Sequence, residues 1–177
     1  MTRTGFLFAC VLSLGLSSSL LAKDDNSLKF DGGIGVIPVS NVTVNADGSI
    51  TVSRNIVRTV NPAGQIWVID ALKAEVRGDE IRARGRGLLL GGGNNIGMNA
   101  GASVIATLAC GQAAPFTLHS TPTAAAVALA PNGDFEIDDV LTPAPPAECV
   151  NPVLLIRSSA GANAWFAGSI LKRDHDE

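Results

Sequence analysis

The sequence predicts an all-β protein, a single-domain β-sandwich of about nine or ten short strands. Stretches in which apolar and polar residues alternate recur along the chain, and Gly, Pro, Asn and Asp mark turns between them. After the first 22 residues, no stretch has the periodicity of a long helix. The 177 residues are 46% hydrophobic and 16% charged, which indicates one globular domain and excludes a disordered chain.

The first 22 residues have the order of a secretory signal peptide. A basic start at Arg3 precedes an apolar core from Gly5 to Leu16, and small residues lead to Ala22 before a charged stretch. We expect cleavage after Ala22 and export to the periplasm or the extracellular medium. A lipoprotein signal at Cys10 is the alternative, although its apolar core would be short. No apolar run reaches the length of a membrane span, so the mature chain is expected to have none.

Cleavage would leave two cysteines, Cys110 and Cys149. An even number of thiols in an oxidising compartment predicts one disulfide. Its loop of about 40 residues would add roughly 4 kcal/mol to the free energy of unfolding by the loop-entropy relation. Two unpaired, buried thiols are the alternative.

The N-terminal half of the predicted domain, which spans residues 23–171, begins with an apolar run over Gly33–Val39. Alternating residues then predict a hairpin over 42–44 and 50–52, with Ala46–Gly48 as its loop. Residues 65–76 fit either a short helix or a strand. We favour a strand, because a turn and a further alternating stretch complete a hairpin.

The remaining predicted strands follow at regular intervals to the end of the domain. They cover residues 81–86, 104–110, 116–120, 124–129, 134–140, 153–156 and 164–171. Cys110 falls on the inward face of its strand, which favours the disulfide. Residues 172–177 form a charged C-terminal tail, expected to be frayed.

An immunoglobulin domain carries a tryptophan between its two cysteines, whereas Trp67 precedes and Trp165 follows both. The sandwich is therefore immunoglobulin-like in outline only. Several segments resemble small exported bacterial proteins of no assigned function: 85–90, 91–97, 106–110, 132–135 and 165–167. The resemblance spans residues 61–171. It implies a bacterial origin and supplies no known active site.

Two charged stripes are the candidate surface sites. Three arginines alternate along one predicted strand and three acidic residues along another: Arg82, Arg84, Arg86 and Asp134, Glu136, Asp138. We expect solvated outer faces, with charge pairs across neighbouring strands. An anion-binding stripe and a calcium site are the alternatives, since Ca²⁺ prefers oxygen ligands. The acidic stretch lacks the glycine that an EF-hand loop requires.

No cofactor or catalytic motif is found. The glycine-rich stretch 91–97 has Met98 and Asn99 where a P-loop requires Lys and Ser or Thr, so we expect an ordinary loop. His119 is the single histidine of the predicted domain, and its polar neighbours suggest a surface position at a strand end. We therefore expect no enzyme, no cofactor and no metal.

The leading functional hypothesis is an exported binding or structural module at the bacterial cell envelope or outside it, with an unknown protein or surface as partner. The formal net charge of −3 argues against nucleic acid. One alternative is a fibre or adhesin-type subunit that donates the strand Gly33–Val39 to a neighbour. The other is a small secreted hydrolase that uses His119.

Overall fold

The computed structural model describes residues 27–172, so the predicted signal peptide and residues 173–177 lie outside the described residues. Thirteen β-strands and one 3₁₀ turn are present in this range. The strands are β1 Leu28–Gly35, β2 Val39–Val44, β3 Ile50–Arg54, β4 Trp67–Val68, β5 Ala71–Arg77, β6 Glu80–Arg86, β7 Leu89–Leu90, β8 Ser103–Cys110, β9 Thr117–Ser120, β10 Val127–Ala128, β11 Phe135–Val140, β12 Val153–Ser158 and β13 Trp165–Leu171, and the 3₁₀ turn is Thr123–Ala125. The fold is all-β, as predicted.

One nine-stranded antiparallel sheet forms the body of the protein, in the order β10-β8-β12-β13-β1-β5-β6-β11, with β9 also paired to β8. The sheet curls until its ends meet. Ser120 and Thr142 exchange two backbone hydrogen bonds of 2.8 and 3.1 Å, and the backbone of Ala130 bonds that of Asp134. The core is therefore enclosed by opposite halves of the same sheet.

The core is aliphatic, with a few aromatic side chains. Alternation along β5 and β6 places every second residue inside, including Leu72 and Ile81, and leaves the charged residues outside. Strand β12 is buried at three successive positions and lies between β8 and β13 in the sheet. Trp67 stacks on Phe166 with ring centroids 4.1 Å apart. The strand pattern thus explains which side chains are buried.

The predicted strand boundaries differ from the structure mainly in the N-terminal third. The first strand runs over 28–35, whereas the sequence predicts a strand over 33–39. The ambiguous segment 65–76 contains β4 and most of β5, so the strand interpretation is correct. Residues 124–129 contain the end of the 3₁₀ turn and the two-residue strand β10. Ten of the described strands have four or more residues, in agreement with the predicted number.

The predicted disulfide joins Cys110 to Cys149, with Cα atoms 5.1 Å apart. It connects the end of β8 to the crossing segment that precedes β12. The sulfur of Cys110 lies on the core side, as the alternation along β8 indicated. Within residues 27–172, the structure has no helix long and apolar enough to span a membrane.

Candidate functional site: a projecting hairpin

The hairpin β2–β3 stands apart from the body. Its two strands pair with each other and, among the described residues, with no third strand. Every residue of both strands is exposed. Alternating apolar residues normally indicate a strand with one buried face. Here the alternation is present and neither face is covered.

The tip of the hairpin is a three-residue loop, as the sequence predicted. Asn45 and Ser49 flank the loop, and the Asn45 N–H donates to the Ser49 carbonyl at 2.9 Å. Gly48 adopts a φ of +81°, which suits the third position of such a loop. The Ser49 hydroxyl and N–H both donate to the Asp47 carboxylate, at 2.6 and 2.9 Å. These bonds lower the pKa of Asp47, because they favour its charged form.

One face of the hairpin is aliphatic except for Arg54 at its base. The register pairs Val42 with Val52 and Val44 with Ile50, and a bulge at Ser40 brings Val39 onto the same side. We call these five residues the hairpin face. Their exposed fractions are high: Val39 39%, Val42 56%, Val44 70%, Ile50 65% and Val52 53%. The opposite side carries Asn, Thr and Ser.

The base of the hairpin is tied to the body by polar contacts. Arg54 pairs with Val39 on the side of the hairpin face, and its guanidinium donates to the Pro62 carbonyl at 2.9 Å. The Asn55 side chain donates to the Ile37 carbonyl at 3.1 Å. The Trp165 indole N–H donates to the Asn55 carbonyl at 3.0 Å. The hairpin therefore extends from a fixed base.

A second anchor follows directly in the chain. Arg58 and Thr59 form a two-residue turn with φ values of +49° and +68°, which non-glycine residues rarely adopt. The Arg58 guanidinium donates to the carbonyls of Gly111 and Asn151, at 2.6 and 3.1 Å, and lies 4.4 Å from the centroid of the Phe116 ring. These contacts hold the strained turn against the disulfide-bonded end of the sheet.

The predicted charge stripes pair across strands β6 and β11. Arg84 contacts Glu136 at 2.6 Å and Arg82 contacts Asp138 at 3.2 Å. Arg86 lies 3.5 Å from Asp70. All of these side chains are more than half exposed, so each pair is expected to contribute about 0–1 kcal/mol. The arrangement matches the cross-strand pairing expected from the sequence.

Asp134 serves a different purpose from the two acidic residues beyond it. It precedes β11 and accepts hydrogen bonds from the Gly87 N–H and from the side chain of Asn132. Its carboxylate thereby fastens the β10–β11 turn to the chain after β6. Among residues 27–172, no group of three or more His, Cys, Asp or Glu side chains is arranged to hold a metal ion.

The expectation for His119 is wrong, because its side chain is buried, at 4% exposure. Its Nδ1 lies 2.7 Å from the Pro143 carbonyl, and its Nε2 has no hydrogen-bond partner. The crossing segment after β11 covers the histidine, a long-range contact that local polarity could not reveal. His119 therefore contacts a backbone carbonyl and neither a serine nor a carboxylate.

The strand-donor hypothesis also loses its basis. Gly33, Ile34 and Gly35 pair with β13, and the Val36 N–H donates to the Phe166 carbonyl at 2.9 Å. The segment therefore belongs to its own sheet. A Cβ at Gly35 would clash with the Trp67 carbonyl oxygen, so this strand is closely covered.

The glycine-rich loop is an ordinary connection that borders the hairpin base. Backbone bonds between Leu90 and Met98 and between Gly97 and Leu90 close it, and Gly93 and Gly97 have positive φ values. A shallow cleft of about 200 Å³ lies beside it, lined by Pro38, Gly64, Gln65, Ile66, Gly92 and Gly93. The cleft carries no charged side chain.

The sequence-based candidates did not include the hairpin as a site. The signal available was its composition, since residues 39–53 contain a single charged residue, Asp47. Edge strands usually carry charges that discourage pairing with other chains. No family model matches the chain, and neither the curated proteins nor the solved structures contain a match.

Proposed function

We propose that this protein is an exported, non-enzymatic binding or structural module of the bacterial cell envelope or its surroundings, and that the β2–β3 hairpin makes its contact. The predicted signal peptide and bacterial origin supply the location. The disulfide Cys110–Cys149 is consistent with an oxidising compartment.

The observation that carries this proposal is the uncovered hairpin face. Five aliphatic side chains on one side of a projecting hairpin, each 39% exposed or more, form an apolar surface that no other strand of the described residues covers. Contiguous exposed apolar surface on a soluble protein marks a contact site. The base, by contrast, is held by Arg54, Asn55 and Arg58, so the surface is presented in a defined position.

The test is removal of the hairpin. Replacing residues 40–53 by Asn-Gly joins Val39 to Arg54, which already face each other across the hairpin. Full-length precursor would be expressed in a bacterial host and recovered from the periplasm, with an intact mass that begins at Lys23. We expect the shortened protein to form its disulfide and to unfold cooperatively within about 4 °C of the parent, a loss below about 1 kcal/mol.

A matched excision in the body provides the control. Replacing residues 74–83 by the same dipeptide joins Lys73 to Arg84, which are also paired. It removes the buried Val76 and Ile81, so no folded protein is expected. If removing the β2–β3 hairpin were equally damaging, the hairpin would be part of the folding core and the proposal would fail. Recovery only in the cytoplasm, with Met1 retained, would contradict the export component.

A further inference from the structure

The hairpin face raises the question of what covers it, and four features of the molecule restrict the answer. The first is charge. The hairpin carries two charged side chains, and both are engaged within the chain: Asp47 at the tip accepts from Ser49, and Arg54 at the base donates to the Pro62 carbonyl. Recognition of a charged partner requires complementary charge at the contact. The occupant is therefore apolar and uncharged where it meets the face.

The second feature is the course of the chain ends. The described chain ends at Lys172, whose N–H donates to the Lys29 carbonyl, and Phe30 pairs with Leu171. Both ends of the described chain therefore lie where β1 begins. Strand β1 has eight residues and is about 25 Å long, and the hairpin follows its other end. Residues 23–26 and 173–177 are mostly charged. Neither of these charged segments suits an aliphatic surface.

The third feature is the length and the composition of the two hairpin strands. Strands β2 and β3 have six and five residues, whereas a strand that crosses a bilayer needs about 9–11. Aromatic and basic side chains hold a protein at a lipid surface. The two strands contain no aromatic side chain, and their single basic side chain, Arg54, is engaged by the Pro62 carbonyl. The hairpin face is therefore poorly suited to contact a membrane.

The fourth feature is self-complementarity. The pairs Val42–Val52 and Val44–Ile50 present β-branched side chains of nearly equal size on both strands. Turned over by a two-fold rotation, this surface meets an equivalent one, as a face-to-face dimer requires. Two such hairpins would stack like the sheets of a sandwich, about 10 Å apart.

We infer that the occupant is a second copy of this chain, and that the protein forms a two-fold dimer in which the hairpin faces of the two copies pack against each other. This inference rests on the proposed contact role of the hairpin and names its partner. Five residues a side is small compared with the roughly 20–30 of a standard interface, so we expect weak association, with a dissociation constant in the micromolar range.

Sedimentation of the processed protein over a dilution series tests the inference. The parent should show a reversible monomer–dimer equilibrium. The double variant Val42→Thr/Val52→Thr retains side-chain shape and β-propensity, and it should raise the dissociation constant at least tenfold. The matched control Val140→Thr/Val150→Thr changes two exposed valines of the body and should leave the equilibrium unchanged. A parent that is monomeric throughout, or a hairpin variant that dimerises like the parent, would overturn the inference.

Disulfide trapping distinguishes the faces of the hairpin. The native cysteines of residues 27–172 are paired, so an introduced cysteine supplies the free thiol. Under mild oxidation, Val42→Cys should give a covalent dimer that reductant dissolves, whereas Thr43→Cys, on the opposite side, should remain monomeric. Equal cross-linking at both positions would contradict face-to-face packing. A monomeric parent whose body tolerates hairpin removal would refute the dimer alone, whereas a body that unfolds without the hairpin would refute the proposed function itself.

Discussion

The β2–β3 and β5–β6 hairpins share an alternating pattern and have opposite environments. In β5–β6, the inner residues Leu72 and Ile81 are fully buried, and outer residues form ion pairs with the neighbouring strands β1 and β11. In β2–β3, the corresponding aliphatic residues face solvent, and the polar side carries amides and hydroxyls in place of charges. The difference indicates that β5–β6 builds the core and that β2–β3 is available for contact.

The largest expected effect comes from shortening one isoleucine in each hairpin. Ile81 is 0% exposed and Ile50 is 65% exposed. Ile81→Ala should lower the free energy of unfolding by about 2–5 kcal/mol, because it removes buried methyl groups and leaves a cavity. Ile50→Ala should change it by less than about 0.5 kcal/mol.

Urea unfolding of the two variants and the parent, at concentrations below dimer formation, measures both quantities. Equal losses would mean that the hairpin face is covered within its own chain, and the contrast between the hairpins would disappear.

A finer comparison uses two loops with the same geometry. Gly48 at the hairpin tip and Gly133 before β11 both have φ of +81°, and each donates its N–H to the carbonyl three residues earlier. A Cβ at Gly48 would meet nothing within 4 Å, whereas a Cβ at Gly133 would lie 2.6 Å from the backbone of Leu88.

Alanine at Gly48 therefore adds only the cost of a left-handed residue, about 1–2 kcal/mol confined to the tip. Alanine at Gly133 adds the clash with Leu88, for a further loss of about 1–3 kcal/mol. Thermal unfolding should show a clear drop for Gly133→Ala and little change for Gly48→Ala. A drop of the same size for both would show that the tip is coupled to the body.

The sequence was sufficient to predict features that depend on local pattern. Alternation identified the arginine and acidic stripes, and the cysteine count identified the pair Cys110–Cys149. Burial of His119 depends on a segment more than twenty residues away, which no local pattern encodes. The exposure of Val42 could not be predicted either. Alternation indicates which residues share a face of a strand, but it does not indicate whether another layer covers that face.

The smallest expected effect concerns pH and is confined to the hairpin tip. The Ser49 hydroxyl and N–H bond the charged carboxylate of Asp47, so its pKa in the folded protein lies below the ordinary value. The contribution of these bonds is complete above the pKa of the unfolded chain, about 3.9, and is lost as the pH falls through the lower, folded pKa. The amide signal of Ser49 in an NMR titration should follow this protonation.

In Asp47→Asn the pH-dependent shift of the Ser49 signal should vanish, while the signals of β5 and β6 should change with pH in the same way in both proteins. If protonation of Asp47 also moved signals in β5 and β6, the tip would be coupled to the core, and the separation of hairpin and body would not hold.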